Sequence, residues 1–279
     1  GASNGGLGTL IGTPPNALFA AYLMEAHGIS VGFGQWMLLG VPLVAALLPL
    51  AWLILTRLAF PVGGAVITGA DQVIADELTA LGPMSRPEMC VAGIFGATAT
   101  LWIIRPAINT LAPGLSLSDP IIAMLGAFAL FIIPANLRKG EFLLNWDWAR
   151  RLPWGVLILF GGGLSLASAM STSGLAAWIG QMMIAGAGWP VFWIVLVIAA
   201  IVVFLTEITS NTATAAVFLP LAASFAAMIA VSPFMLMVPV ALAASCAFMM
   251  PVATPPNAIV FSSGAVTVPH MARAGLLLN

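Results

Sequence analysis

The chain has 279 residues, 61% of them hydrophobic and only 6% charged, with a formal net charge of −1 and a mean hydropathy of +1.11. A soluble domain carries roughly 25% charged residues, so a chain this poor in charge cannot cover its surface for water, and its solvent is lipid. The charge balance gives no footing for nucleic acid, and none is expected as a partner.

A spanning helix needs about 20 apolar residues. In chain order the candidates are Gln35–Leu55, Met89–Leu111, Pro120–Asn136, Pro153–Met183, Val191–Leu205, Ala213–Ala230 and Phe234–Met250. Two pieces that follow Pro-Pro pairs, Pro14–Ala26 and Pro255–Ser263, are too short to span alone. The polar stretch 57–88 holds Asp71, Asp76, Glu77 and Arg86, and part of it is expected to form a surface helix. The stretch 137–152 holds Arg138, Lys139, Arg150 and Arg151 with Trp146 and Trp148 between them, a mixture that suits an interfacial helix along the headgroup layer. Cys90 and Cys246 lie in apolar runs and read as small buried hydrophobes.

Lys and Arg favour the cytoplasmic side of a membrane, so 57–88 and 137–152 are expected inside, in the plasma (bacterial inner) membrane. The opposite loops, near 25–34, 112–118 and 185–189, contain neither residue. Arg105 falls near the outer end of its helix, where it would snorkel or pair.

The most informative feature is a repeat. Gly12-Thr13-Pro14-Pro15-Asn16-Ala17 returns as Ala253-Thr254-Pro255-Pro256-Asn257-Ala258. Proline lacks a backbone N–H and clashes inside a helix, yet suits the first helical position. Each copy is therefore expected to end one membrane helix and start another. Bare backbone at membrane depth is tolerated only where it is buried in protein or lines a cavity. The new half-helix presents free N–H groups to an anion, the unwound carbonyls face a cation, and a small residue before the threonine admits a ligand. Matching interruptions in two halves point to a transporter site. The competing reading is that each Thr-Pro-Pro simply kinks a helix or marks an ordinary loop.

A second polar cluster, Thr206-Glu207-Ile208-Thr209-Ser210-Asn211-Thr212-Ala213-Thr214, lies between two apolar runs. Its hydroxyls, amide and turn backbone offer oxygen ligands to Na⁺ and donors to a dianion. It reads either as the tip of a hairpin at membrane depth or as a solvent loop. Glu207 reads as a proton or cation site, or equally as a cap or helix-pairing group. Gly161-Gly162-Gly163 permits close helix packing and lacks the Lys-Ser/Thr of a nucleotide loop. His27 and His270 are isolated, and no catalytic triad or paired aspartate is present, so an enzyme has no support.

These residues resemble the divalent anion:sodium symporter family. The resemblance rests on Ser210-Asn211-Thr212, on the two Thr-Pro-Pro-Asn segments, on Leu81-Gly82-Pro83-Met84-Ser85, and on Pro153-Trp154-Gly155-Val156-Leu157 through Gly161-Gly162-Gly163. It implies an all-α polytopic fold of two inverted halves, with discontinuous helices and a re-entrant helical hairpin. It implies a homodimer and an elevator motion that couples Na⁺ to uptake of a small divalent anion such as a C4-dicarboxylate. By position, Thr206, Thr209, Asn211 and Ala253 would shape one sodium site and Gly12 would belong to the other. Ser210, Asn211 and Thr212, with Thr13, Pro14, Thr254 and Pro255, would meet the substrate. The expected division is residues 1–33 (first broken helix), 34–152 (scaffold) and 153–279 (transport), with the hairpin at 190–230 and the second broken helix at 234–265.

The chain opens just before the first broken helix and closes as another apolar helix begins, and it is read as a fragment without the first-half hairpin. Asn4 stands where that family pattern has an apolar residue, either as an added polar ligand or as a local variation. A carrier of sulfate, arsenite or protons, and a membrane anion-binding protein that moves nothing, remain as alternatives.

Overall fold

Six helices of this protein begin with a Ser or Thr N-cap and a proline in the first turn. A computed structural model describes residues 1–61, 70–152, 154–182 and 188–279. Expectations that fall on Pro153 and Met183, and on parts of the 57–88 and 185–189 loops, lie outside the described residues. The helices are α1 (Ala2–Gly6), α2 (Pro14–His27), α3 (Phe33–Leu53), α4 (Ala70–Leu81), α5 (Arg86–Leu111), α6 (Asp119–Ile132), α7 (Trp146–Ala149), α8 (Trp154–Thr172), α9 (Leu175–Met182), α10 (Val191–Thr206), α11 (Asn211–Met228), α12 (Pro233–Ser245), α13 (Pro255–Ser262) and α14 (Val268–Leu276). A π-helical stretch, Ile54–Ala59, prolongs α3, and one short antiparallel ribbon pairs β1 (Pro134–Asn136) with β2 (Glu141–Phe142). Proline occupies the first turn of α2, α5, α6, α12, α13 and α14, where its missing N–H costs nothing.

Three helical stretches among the described residues are long and apolar enough to cross a membrane: Phe33–Ala59, Arg86–Leu111 and Asn211–Met228. Asp119–Ile132, Leu157–Thr172, Val191–Thr206 and Pro233–Ser245 are shorter apolar helices.

The chain divides into two compact units, Gly1–Pro61 with Trp154–Asn279, and Val62–Pro153. In the first unit, α11 lies at the centre and packs against α12, α8, α9 and α2, while α10 packs mainly on α12. The core runs through Leu18, Phe19 and Leu23 of α2, Leu219 and Phe225 of α11, and Leu236, Met237 and Val240 of α12. Phe19 stacks obliquely on Trp36 at 5.4 Å and edge-on to Phe234 at 6.1 Å, geometries that aromatic quadrupoles favour. The glycine triplet acts at one position. A Cβ on Gly163 would stand 2.9 Å from Ala216 Cβ, whereas Gly161 and Gly162 face open space.

In the second unit, α5 and α6 form an antiparallel pair. Arg105 Nε lies 2.9 Å from Asp119 Oδ1, so Arg105 pairs at the helix end. Trp102 Nε1 donates to the Asp119 carbonyl at 3.0 Å, and Asn109 exchanges two bonds with the Leu117 backbone. Ser85 and Glu88 cap α5 reciprocally.

Several boundaries differ from those expected. The run Pro153–Met183 is not one helix: α8 stops at Thr172, and Gly174, at φ +76, turns the chain before α9. The run Phe234–Met250 stops at Ser245, because the backbone unwinds from Cys246 onward. Pro120–Asn136 ends as a helix at Ile132, with β1 taking its last residues. The stretch 137–152 is therefore a ribbon and a one-turn helix capped by Asn145, with Arg151 stacked 4.8 Å over Trp148. The expected surface helix within 57–88 is α4. Cys90 is exposed rather than buried, since α5 turns most of its apolar surface outward and buries only Trp102; Cys246 is half-buried.

Candidate functional site

Both Thr-Pro-Pro-Asn segments interrupt a helix. The first break joins α1 to α2 through Leu7–Thr13, and the second joins α12 to α13 through Cys246–Thr254. Thr13 and Thr254 are the N-caps, with nearly equal extended backbones (φ −141, ψ 147 and φ −144, ψ 151). Pro14 and Pro255 are then the first helical residues, and both are exposed.

The two breaks are closed by the same hydrogen bonds. Asn16 Nδ2 donates to the carbonyls of Gly6 at 3.3 Å and Thr9 at 3.0 Å. Asn257 Nδ2 donates to the carbonyls of Ala247 at 2.9 Å and Met250 at 3.0 Å. The backbone N–H groups of Gly12 and Ala253 return to those same acceptors, Thr9 and Met250, each at 3.2 Å. Each asparagine thus satisfies carbonyls that a continuous helix would have paired along its own axis.

The polar cluster is the turn that joins α10 to α11. Thr206 ends α10, Ser210 is the N-cap of α11 without a side-chain bond, and Asn211 and Thr212 open α11. Thr206, Glu207, Thr212 and Thr214 are buried, while Thr209 and Ser210 are exposed. The Thr206 hydroxyl lies 2.7 Å from Asn211 Oδ1 and 3.0 Å from the Ala244 carbonyl. Thr209 Oγ1 is 2.6 Å from Thr214 Oγ1 and donates to the Leu205 carbonyl at 2.9 Å.

Tertiary packing brings the tip and the breaks together. Thr13 Oγ1 lies 2.8 Å from Ser245 Oγ, at the last residue of α12. The Ala244 carbonyl, one residue earlier, meets Thr206. Thr13 and Thr206 therefore meet successive residues at the end of α12, which lies between the first break and the hairpin tip. Gly12 and Ala253 keep their backbone bonds within their own loops. The Thr254 hydroxyl accepts from Asn257 N at 3.4 Å and caps α13.

The sequence reading did not assign roles to Asn16, Asn257 or Ser245. The asparagines carried a signal, since each follows its Pro-Pro pair at the same offset. Ser245 had none, because only the crossing of α12 with α2 reveals its partner. Asn4 is buried with its Oδ1 unpartnered, as is Asn16 Oδ1. The Glu207 carboxylate accepts from the N–H groups of Phe248, Met249 and Met250, in the unwound stretch between α12 and α13.

Two apolar helices broken at matched motifs, with a polar tip against one break, are an arrangement that secondary transporters use. The sequence profile described as the sodium:sulfate symporter transmembrane region matches residues 1–279, and the chain belongs to that family. It is similar to the sodium-dependent dicarboxylate transporter SdcS of Staphylococcus saprophyticus, with 45% identity over 277 residues, 99% of this chain and 53% of the relative. The same-named transporter of Staphylococcus aureus strain USA300 is 44% identical over 277 residues, again 99% of this chain and 53% of the relative. The chain spans about half the length of the curated relatives it matches.

Proposed function

We propose that the protein couples the entry of Na⁺ to uptake of a small divalent anion, a C4-dicarboxylate such as succinate, malate or fumarate. The observation that carries this reading is the convergence of Thr206 Oγ1, Asn211 Oδ1 and the Ala244 carbonyl. Three oxygens share a single hydroxyl proton there, and a hard cation takes oxygen ligands of this kind. With Thr209 and the backbone at Ala253, this tip is the proposed sodium site of the second half, and Gly12 belongs to its counterpart in the first. Ser210, Asn211 and Thr212, with Thr13, Pro14, Thr254 and Pro255, are the proposed dianion contacts. The names of the similar transporters support a dicarboxylate substrate.

The depth of the site supports the same reading. The α12 helix has 13 residues and rises about 20 Å, less than the roughly 30 Å of a hydrocarbon core. A helix of this length that starts at one membrane face would end within the hydrocarbon core, which is the depth proposed for the tip bonded to its far end. Sodium bound there neutralises part of the dianion's charge and orders the tip, so each ligand raises the affinity for the other.

The wider assignment is a homodimer in the plasma membrane, with 57–88 and 137–152 cytoplasmic. Residues 34–152 would act as scaffold, while 1–33 and 153–279 move as an elevator. The unit that holds both breaks and the hairpin also holds α3, whose Trp36 Nε1 donates to the Leu7 carbonyl at 2.9 Å.

The deciding experiment is uptake by the full-length protein in proteoliposomes, with labelled succinate, malate, citrate and sulfate under an inward Na⁺ or K⁺ gradient. Succinate or malate uptake that needs Na⁺, and that Asn211→Ala abolishes, is the expected result. Sulfate uptake with no competition by dicarboxylates selects the sulfate carrier, and wild-type uptake by Asn211→Ala refutes the site.

A further inference from the structure

Glu207 is the only charged side chain between Arg151 and Arg273, it is 3% exposed, and sodium coordination does not account for it. Its Oε1 accepts from Phe248 N at 2.7 Å and Met249 N at 2.8 Å, and its Oε2 from Met250 N at 2.9 Å. Asn279 Nδ2 adds a fourth donor to Oε1 at 2.7 Å. Four protein donors thus meet this carboxylate, three at Oε1 and one at Oε2.

Among the described residues, the first break closes the corresponding donors on its own backbone. Leu7 and Gly8 occupy the positions that correspond to Phe248 and Met249, counted back from the two threonines. Their N–H groups return to the Asn4 and Gly5 carbonyls of α1, both at 3.1 Å. The first unwound segment thus satisfies these donors within its own chain, whereas the second depends on a side chain of the hairpin. On its other flank the second segment is backed by Gly275 of α14, where an added Cβ would come 2.6 Å from Met249 N and Cα.

We propose that Glu207 is the positioning residue of the second half: its carboxylate locks the hairpin tip to the unwound segment, so that the tip oxygens and the loop bearing Ala253 stay at a preset separation for Na⁺. This inference rests on the sodium-coupled reading above. Thr206 grips the carbonyl end of α12 while its neighbour Glu207 grips the N–H groups just beyond. The tip therefore spans the break, and the order that Na⁺ binding would otherwise have to impose is built in.

The test uses the full-length protein with E207Q and E207D, read in two ways. Hydrogen exchange at Phe248–Met250 is expected to be slow in the wild type and at least about tenfold faster in E207Q, whose amide turns an N–H toward an N–H. In proteoliposomes, E207Q is expected to raise the Na⁺ concentration for half-maximal succinate uptake about tenfold or more, with the maximal rate at saturating Na⁺ within about twofold of wild type. E207D, which keeps both oxygens, is expected to restore much of the Na⁺ response. An unchanged Na⁺ requirement in E207Q overturns the proposal, as does a lost maximal rate with an unchanged requirement. If E207Q fails to insert, E207A replaces it in both measurements, and wild-type exchange at Phe248–Met250 or an unchanged Na⁺ requirement there overturns the proposal. The exchange measurement needs no cargo, so failure of the wild type to move succinate condemns the transport reading while the clamp is still judged.

Discussion

Asn16 and Asn257 are equivalent in three dimensions: each amide nitrogen lies 3.0 Å from the carbonyl oxygen seven residues before it, Thr9 in one break and Met250 in the other. Each is bonded by a second contact to the carbonyl ten residues before. Unwinding a helix frees carbonyls, and one side chain re-satisfies two of them in each half.

This equivalence sets the first prediction. Asn257→Ala strands the Ala247 carbonyl and leaves the Met250 carbonyl only its bond from Ala253 N, at a cost of about 1–3 kcal/mol for the unsatisfied group. Asn257→Asp should be worse, because it faces acceptors with an acceptor. Thermal unfolding of the purified protein, followed by tryptophan fluorescence or aggregation, should show both losses, and the Asn16 substitutions should match them.

The residues before the two threonines are not interchangeable. A Cβ on Gly12 would overlap the Gly6 backbone, whereas the second break already carries Ala253 at the matching position. Gly12→Ala should therefore lower thermal stability and suppress Na⁺-dependent uptake, while Ala253→Gly should leave stability within about 1 kcal/mol. Equal tolerance of both changes would contradict the close approach at the first break.

Thr206 has two oxygen partners and one proton. Thr206→Val keeps the shape and removes the hydroxyl, leaving Asn211 unoriented and the Ala244 carbonyl unpaired. The Na⁺ concentration for half-maximal uptake should rise by about tenfold or more, a loss of roughly 1.4 kcal/mol. Thr206→Ser, which restores the oxygen, should recover most of it.

Helix packing at the glycine triplet should be position-specific. Gly163→Val drives a branched side chain into Ala216 and Leu18, at about 1–3 kcal/mol for an overpacked site. Gly161→Ala, in open space inside α8, should not lower the melting temperature and should raise it slightly through helix propensity. A comparison of the two melting curves checks the register of α8 against α11.

Much of this was written in local chemistry. The scarcity of charge determined the solvent, and the lengths of apolar runs located most helices. The repeated Thr-Pro-Pro-Asn announced both breaks, because proline's missing N–H and fixed φ act on the adjacent backbone wherever the chain is placed. Helix ends inside apolar runs were not legible: hydropathy does not change at Ser245, yet α12 stops there. The split of Pro153–Met183 at Gly174 was hidden for the same reason.

Only folding decided the partners across the site. Thr13 meets Ser245 because α2 crosses α12, and Glu207 meets Phe248, Met249 and Met250 because the hairpin packs beside the break. Those contacts join residues far apart along the chain, and no periodicity records them. A sequence announces where backbone groups will be left bare, since that follows from each residue and its neighbours. Which side chain arrives to satisfy them depends on how the helices pack.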